Sequence, residues 1–254
     1  MFIYRGLRLL GIVAAFFIRT NIVRLFKKDS TDRFRSLAAL TRCYSRKVMK
    51  LFCVNISVID AAELFNSAPC LIVSNHLSYL DVLILTSVKP TLFLSHKGIE
   101  REPIIGTLAA CGGTVFVDKS AKANLMFEMM QLADILEGGN SLTLFPEGAT
   151  GDGEMVRPFH SAFIEAAVRA GTSVLPVCLQ YCRINGSPVT KENKNLIFIY
   201  GEMPFLPHIW ALFKNLKTLD VTIKVFDRIP SIGRSRKEIA QCARDVIVGE
   251  FLTV

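Results

Sequence analysis

Residues 71–86 read Leu-Ile-Val-Ser-Asn-His-Leu-Ser-Tyr-Leu-Asp-Val-Leu-Ile-Leu-Thr, and this stretch decides the fold. Its uninterrupted apolar start is typical of a strand covered on both faces, and residues 79–86 have the composition of a buried helix. His76 and Asp81 lie where the strand ends and the helix begins. Because open α/β sheets bind ligands at the ends of their strands, the stretch predicts an α/β fold with a functional site at this position.

The same alternation of strand and helix patterns continues through the rest of the chain. Short apolar runs predict strands at residues 54–59, 71–74, 92–95, 114–117, 141–145, 174–179, 196–200 and 221–225. Helical patterns predict helices at residues 79–86, 104–111, 122–136, 161–170, 206–213 and 236–251. We therefore expect an α/β fold with a mixed, mostly parallel central sheet flanked by helices. Because no linker rich in Pro, Gly or Ser follows residue 54, residues 53–254 are predicted to form one domain behind an N-terminal segment, residues 1–52.

The distribution of charge separates the N-terminal segment from the rest of the chain. Of 254 residues, 51% are apolar and 20% are charged, which excludes a disordered protein. Residues 1–50 hold 12 of the 30 Lys and Arg residues but only two of the 22 acidic residues. Because this basic segment is also strongly apolar, we expect it to bind an anionic membrane surface. Nucleic-acid binding requires a basic, polar face and is not expected.

The first helix predicted in the N-terminal segment ends at Phe26. An apolar stripe lies opposite its cations and consists of Leu7, Gly11, Ala14, Ile18, Ile22 and Leu25. The uncharged run Leu9–Ile18 is ten residues long, whereas a helix that crosses a bilayer needs about 20. The pattern therefore favours a helix that lies in the membrane interface, with a single tilted span as the alternative.

The second helix is predicted over residues 32–52, with Ser30 or Thr31 as its N-cap. Its apolar stripe consists of Phe34, Leu37, Tyr44, Val48 and Leu51. Together the two helices predict a basic amphipathic membrane anchor of the peripheral or monotopic kind. Two ordinary packing helices are the alternative interpretation.

Seven cysteines are scattered through apolar stretches, without a Cys-x-x-Cys pair. This pattern predicts buried, reduced thiols in a cytosolic compartment and no structural zinc site. The chain also contains neither Gly-x-Gly-x-x-Gly nor a Walker loop. The sequence therefore predicts no metal and no nucleotide cofactor.

A second motif, Phe-Pro-Glu-Gly at residues 145–148, follows another predicted strand. A motif of four adjacent residues occurs by chance far less often than a His and an Asp five positions apart, so it is the more specific sign of function. In the first motif, Asp81 can accept a hydrogen bond from His76 Nδ1 and leave Nε2 free to act as a general base. The structural alternative is that Asp81 only stabilises a helix N-terminus and Glu147 is a solvated turn residue.

The two motifs occur in this order, with Glu147 71 residues after His76, and further blocks lie at residues 97–106, 112–119 and 174–177. This arrangement resembles the membrane-associated glycerolipid acyltransferases, typified by 1-acylglycerol-3-phosphate acyltransferases. The resemblance implies transfer of an acyl group from acyl-CoA or acyl carrier protein to a lysolipid hydroxyl, at the cytoplasmic face of the inner membrane and without a cofactor. It implies that His76 is the base, that Asp81 orients it, and that the acceptor is bound by Lys97, Lys119, Glu147 and Gly148. Arg157 is a further candidate for acceptor binding, because it can substitute for a cation that the family usually carries after Gly148.

The chain departs from the phosphate-accepting members after Gly148. Those members usually continue with Thr and Arg, whereas residues 149–152 here read Ala-Thr-Gly-Asp. This variant is similar to the branch that includes lyso-ornithine-lipid O-acyltransferases. We expect conversion of 1-acyl-sn-glycerol-3-phosphate to phosphatidic acid, with acylation of lyso-ornithine lipid as the alternative.

Two other mechanisms or functions are compatible with the motifs but are disfavoured. A non-catalytic membrane-surface adaptor on the same scaffold is the second alternative, because a fold alone does not prove a function. The intact pair of His76 and Asp81 argues against it. Ser78 is disfavoured as a covalent nucleophile because it lies only two residues from the proposed base.

Overall fold

A computed structural model describes residues 2–60, 68–118 and 122–254 of the chain. Its helices are α1 (Phe2–Phe26), α2 (Ser30–Leu51), α3 (Leu80–Val88), α4 (Lys97–Glu100), α5 (Ile105–Cys111), α6 (Lys122–Glu137), α7 (Glu165–Arg169), α8 (Phe205–Asn215) and α9 (Arg236–Glu250). Two 3₁₀ helices cover Ala162–Ile164 and Lys194–Leu196. The strands are β1 (Val54–Ile59), β2 (Leu71–Ser74), β3 (Leu92–His96), β4 (Val115–Val117), β5 (Leu142–Leu144), β6 (Val174–Ile184), β7 (Ser187–Pro188) and β8 (Leu219–Val225).

The strands form one sheet in the order β1-β8-β6-β2-β5-β3-β4, with the short strand β7 paired to β6. Neighbouring strands are parallel except at β6, which runs antiparallel to β8 and to β7. The predicted mixed, mostly parallel sheet is therefore confirmed. Strands β6, β2, β5, β3 and β4 run in the same direction, so their carboxyl ends lie at one edge, which we call the carboxyl edge.

The central strands are buried on both faces, which explains their uninterrupted apolar sequences. On β2, Ile72 faces a core formed with α2, α3 and α8, whereas Leu71 and Val73 face a core formed with α6 and α9. None of these three side chains is more than 3% exposed. Close packing on both sides fixes the end of β2, and with it the residues that follow at the carboxyl edge.

The structure corrects several of the predicted elements. The strand predicted at residues 196–200 is wrong: a 3₁₀ helix is followed by irregular chain in which Ile197 and Phe198 are buried. This segment packs over the residues that follow β2, where Ile199 N donates to Leu77 O at 3.1 Å. The helix predicted at residues 161–170 is divided into a 3₁₀ turn and α7, β6 extends five residues beyond its predicted end, and α4 and β7 were not predicted.

Helix α2 buries its apolar stripe inside the protein. Leu37 and Tyr44 are 2% and 5% exposed, and α2 packs between α1 and α3. For the apolar stripe of α2, ordinary packing is therefore the correct interpretation. The helix also begins earlier than predicted, because Asp29 is its N-cap in place of Ser30 or Thr31: an Asp29 side-chain oxygen accepts from Asp32 N at 2.7 Å.

Helix α1 does the opposite and exposes its apolar stripe. All six stripe residues predicted from the sequence lie on the surface, among them Ile18 at 58% and Leu25 at 76% exposure. The other side of α1 packs on the protein, where the ring of Phe16 lies against that of Tyr44 with centroids 5.5 Å apart and planes inclined by 56°. By length and composition, α1 is the one described helix that qualifies as a candidate membrane span.

The cysteines differ in part from the expectation of buried thiols. Cys70, Cys111 and Cys178 are buried, but Cys43 and Cys53 are exposed. Burial raises the pKa of the Cys178 thiol to about 12, so this residue is protonated and unreactive at neutral pH.

Candidate active site

In the first motif, the side chain of the residue after β2 makes the hydrogen bonds that a strand backbone would make. Asn75 follows β2, and its amide makes two hydrogen bonds to Leu179 of β6: Nδ2 donates to Leu179 O at 3.0 Å, and Leu179 N donates to Oδ1 at 2.8 Å. The side chain thus continues the pairing of β2 with β6 by one residue while the backbone turns away. His76 is consequently held at the carboxyl edge.

His76 and Asp81 form a hydrogen-bonded pair. His76 Nδ1 donates to Asp81 Oδ2 at 2.7 Å, and the same oxygen accepts from Leu77 N at 2.7 Å and Ser78 N at 2.9 Å. The Asp81 side chain is fully buried, whereas the His76 side chain is 18% exposed. A carboxylate accepts hydrogen bonds only, so this contact places the proton of a neutral imidazole on Nδ1 and leaves the lone pair on Nε2.

A tyrosine that the sequence did not indicate completes the environment of Asp81. Tyr181 of β6 is buried, and its hydroxyl donates to Asp81 Oδ1, the oxygen that does not contact His76. Burial and the neighbouring carboxylate hold the pKa of Tyr181 well above its ordinary value, so the hydroxyl remains a donor. Tyr181 lies 100 residues from Asp81 along the chain, and only the pairing of β6 with β2 brings them together.

The imidazole ring itself rests on the end of β5. The rings of His76 and Phe145 are stacked with centroids 3.9 Å apart and planes inclined by 8°. Among the described residues, none hydrogen-bonds His76 Nε2. The ring is therefore fixed by Asp81 on one edge and by Phe145 on one face, with Nε2 available to a substrate.

Glu147 connects the two motifs. Its Oε1 accepts from His76 N and its Oε2 accepts from Arg157 N, both at 2.8 Å. The side chain is 6% exposed. Burial raises the pKa of Glu147 above its ordinary value, although the two amide hydrogen bonds and the nearby Arg157 oppose this. Both carboxylate oxygens are thus engaged in holding the backbone of the site.

The loop that follows Glu147 returns to the first motif. Gly148 adopts a φ of +79°, which favours glycine, and Gly151 N donates to His76 O at 2.8 Å. Asp152, half-buried, accepts from Glu154 N at 3.1 Å. An acidic side chain therefore directly follows Gly151, the residue that contacts the backbone of His76.

The three cations predicted to bind the acceptor differ in where they lie relative to His76 and Glu147. Arg157 is half-buried and adjoins Glu147, whereas Lys97 is exposed at the start of α4, after β3 at the same carboxyl edge. Lys119 lies outside the described residues. The structure thus brings His76, Asp81, Glu147 and Arg157 into one connected group, with Gly148 in the adjoining turn.

Ser78 is placed unlike a nucleophile. It is fully buried, and its Oγ donates to Ile197 O at 2.7 Å. Within the described part of the chain, no group of three or more His, Cys, Asp or Glu residues is arranged to hold a metal ion. An accessible imidazole backed by a buried carboxylate, at the carboxyl edge of an α/β sheet, is typical of enzymes that activate a hydroxyl or water by general-base catalysis.

Comparison with known proteins shows which family of enzymes the chain is similar to. The family model named Acyltransferase matches residues 55–180. The lyso-ornithine lipid O-acyltransferase of Pseudomonas aeruginosa is 31% identical over 244 residues, which cover 96% of this chain and 90% of that protein. The 1-acyl-sn-glycerol-3-phosphate acyltransferase of Neisseria meningitidis is 31% identical over 155 residues, which cover 61% of this chain and 57% of that protein.

A solved structure agrees with the fold. The crystal structure of the 1-acyl-sn-glycerophosphate acyltransferase PlsC from Thermotoga maritima matches with a TM-score of 0.61 and 16% identity, over 96% of each chain. The chain belongs to the lysophospholipid acyltransferase family, and the protein is an O-acyltransferase.

Proposed function

We propose that His76 is the general base of this acyltransferase and that Asp81 orients it, without a covalent acyl-enzyme. The observation that carries this proposal is the His76–Asp81 contact at 2.7 Å with Nε2 unobstructed by described residues. The acceptor hydroxyl transfers its proton to Nε2 while its oxygen attacks the thioester carbonyl. The tetrahedral intermediate then expels the thiolate of the donor, which takes the proton from His76. The products are an ester and a free thiol.

Acyl transfer from labelled acyl-CoA and acyl carrier protein to a panel of lysolipids tests this mechanism. We expect His76→Ala to abolish turnover. His160→Ala is the matched control, because His160 is an exposed histidine and its backbone hydrogen bond, from N–H to Pro146 O at 2.8 Å, is kept in the variant. Undiminished activity of His76→Ala would refute the mechanism. Vesicle binding without turnover of any donor or acceptor by the unaltered protein would favour the adaptor alternative.

The sequence alone led us to expect 1-acyl-sn-glycerol-3-phosphate as the acceptor; from the placement of Asp152 we now infer that lyso-ornithine lipid is the preferred acceptor instead. Residues 149–152 supply no cation, and the half-buried Asp152 lies next to Gly151, which contacts His76. A phosphomonoester carries nearly two negative charges and is repelled by a carboxylate, whereas the amine of an ornithine head group is attracted to it. The Pseudomonas relative, matched over almost the whole chain, carries the name of this activity.

1-Acyl-sn-glycerol-3-phosphate is the second candidate acceptor, because Arg157 and Lys97 lie at the carboxyl edge and can pair with a phosphate. A side-by-side assay of both acceptors separates the candidates. With lyso-ornithine lipid as substrate, Asp152→Asn raises KM, and Arg157→Ala has little effect. The reverse pattern, with Arg157→Ala raising the KM for the phosphate acceptor, would overturn the preference.

We propose that α1 lies in the plane of an anionic membrane, at the cytoplasmic face where these donors occur. The helix is attached to the protein near both ends: Arg5 Nε donates to Leu51 O at 3.1 Å near one end, and the Arg24 guanidinium contacts Ala110 O near the other. A helix held in this way exposes one face to lipid and does not cross the bilayer. Vesicle binding should weaken steeply with salt, whereas binding unchanged up to ~1 M salt would indicate a spanning helix.

A further inference from the structure

Helix α8 exposes a ridge of apolar residues that the site does not use. Leu206 and Trp210, one helical turn apart, are 58% and 60% exposed, and Trp210 is the only tryptophan of the chain. Lys214 follows on the same face and is exposed. The opposite face is anchored in the protein, where His208 and Leu212 are buried. Leu206 and Trp210 are therefore exposed on a helix that is packed against the protein through its opposite face.

The ridge adjoins the exposed apolar surface of α1. Phe213 of α8 lies against Gly6, where a β-carbon would come within 3.7 Å of Phe213 Cζ, and Arg5 Nη1 donates to Leu216 O at 2.7 Å. On α1, Ile3 and Leu10 lie one turn before and after Gly6 and are 76% and 67% exposed. Trp210 also packs on Phe213, with ring centroids 6.5 Å apart. The apolar surfaces of α1 and α8 are thus contiguous.

The charges around this surface identify its partner. Residues 203–219 contain two lysines and no acidic residue, and residues 1–28 contain six Lys and Arg residues and no acidic residue. Glu202 precedes α8, but cations outnumber acidic residues on the two helices and beside them. An apolar surface with such an excess of cations is complementary to anionic head groups above acyl chains. A tryptophan beside lysines is typical of the boundary between head groups and hydrocarbon.

Helix α8 also touches the catalytic segment. The ring of Tyr79 packs edge-on against Phe205 and His208, with centroids 5.2 and 5.6 Å away, and its hydroxyl donates to His208 Nδ1 at 3.1 Å. Tyr79 is the N-cap residue of α3, which carries Asp81. A surface that binds α8 therefore also lies close to the segment that carries His76 and Asp81.

We propose that α8 is a second lipid-contacting helix, which inserts Leu206 and Trp210 into the head-group boundary of an anionic bilayer beside α1. Two contacts, at α1 and at α8, fix the orientation of the protein on the membrane, which one helix alone leaves free to rotate about its axis. In combination with the proposed function, this orientation turns the carboxyl edge towards an acceptor embedded in the same membrane.

Trp210 reports directly on this contact, because all tryptophan fluorescence of the chain comes from it. The full chain is mixed with phosphatidylglycerol–phosphatidylethanolamine vesicles, with or without brominated acyl chains. We expect the emission maximum to move to shorter wavelength and the brominated chains to quench it. Protein that sediments with the vesicles while its Trp210 emission remains unshifted and unquenched would overturn the proposal.

A matched pair of variants tests the same contact without fluorescence. Leu206→Asp should lower vesicle partitioning roughly tenfold or more, because an apolar side chain is lost and a charge opposes insertion. Ile232→Asp should not, because Ile232 is 80% exposed near Ile229, which pairs with the first residue of β6 at the opposite edge of the sheet. Equal partitioning of the two variants, with circular dichroism confirming both folds, would refute the role of α8.

An activity measurement separates this proposal from the proposed function. Leu206→Asp should lose transfer to acceptor in vesicles and keep transfer to the same acceptor dispersed in detergent. Equal loss in both media would contradict a role in membrane orientation. An unaltered protein that acylates no dispersed acceptor would refute the proposed function alone, since the fluorescence and partitioning of Trp210 and Leu206 do not depend on turnover.

Discussion

The segment that follows β2, residues 75–81, and the helix α1 differ in which groups they leave to the solvent. In the segment, the polar Asp81 is fully buried and accepts four hydrogen bonds, and one edge of His76 alone remains accessible. In α1, a complete apolar stripe is exposed. Burial of polar groups at the first place and exposure of apolar groups at the second both cost stability. Such costs are typical of regions that serve a function.

Helices α1 and α2 show why a sequence pattern alone does not reveal which apolar stripe is exposed. Both combine an apolar stripe with many cations, yet α2 buries Leu37 and α1 exposes Ile18. The difference arises because α2 is packed between α1 and α3, whereas α1 is packed on one side only. An amphipathic pattern predicts that a face will be covered, and the tertiary arrangement determines whether protein or membrane covers it.

The largest effect is expected at the buried carboxylate. Asp81→Asn removes the charge that orients and stabilises the His76 imidazole, and we expect acyl transfer to fall by about 10²–10⁴-fold. Vesicle binding should stay unchanged, because α1 is intact. Initial rates with the control Asp245→Asn, an exposed carboxylate hydrogen-bonded to Gln241 at 2.7 Å, should equal those of the unaltered protein. A similar loss in both variants would show a general effect of charge.

The contrast between the two N-terminal helices predicts a difference in stability. Leu37→Ala creates a cavity at a site that is 2% exposed, and the free energy of unfolding should fall by about 2–5 kcal/mol. Ile18→Ala, at a site that is 58% exposed, should change it by less than about 0.5 kcal/mol. Denaturant titration measures both values. Comparable losses would mean that the stripe of α1 is covered by protein in solution.

Tyr181→Phe should have a smaller effect on acyl transfer. Loss of one hydrogen bond to a charged acceptor lowers kcat/KM about tenfold. Tyr200→Phe, which loses an exposed hydrogen bond to Asn195, is the control and should keep the rate of the unaltered protein. Equal rates in both variants would contradict a role of the Tyr181 hydroxyl in holding Asp81.

The smallest effect concerns acid stability at His208. Burial lowers the pKa of His208 below its ordinary value. Between the folded and unfolded pKa values the unfolded chain binds more protons, so stability falls as the pH drops below about 6.5. His208→Gln keeps a donor for Phe198 O and removes the titration. The variant should lose less stability than the unaltered protein between pH 7.5 and 5.5; identical slopes would contradict the buried, neutral state.

The sequence predicted those parts of the protein that depend on residues close together in the chain. The central strands, most helices and the pair of His76 and Asp81 follow from local patterns and a five-residue spacing. What depends on distant partners was not visible. Tyr181 contacts Asp81 only because two strands pair. Residues 196–200 resemble a strand in sequence because any buried segment, strand or irregular, is rich in apolar residues. The roles of Lys97 and Arg157 in acceptor binding remain predictions.

The two oxygens of Glu147 have a consequence for the order of folding. His76 and Asp81 lie close together in the sequence, but the backbone of His76 is held by a residue 71 positions later, and Asp81 by one 100 positions later. Loops of that length close late, after local helices and turns have formed. In a refolding experiment, catalytic activity should therefore return with the slowest structural phase. Far-ultraviolet circular dichroism, which reports the helices, should recover first.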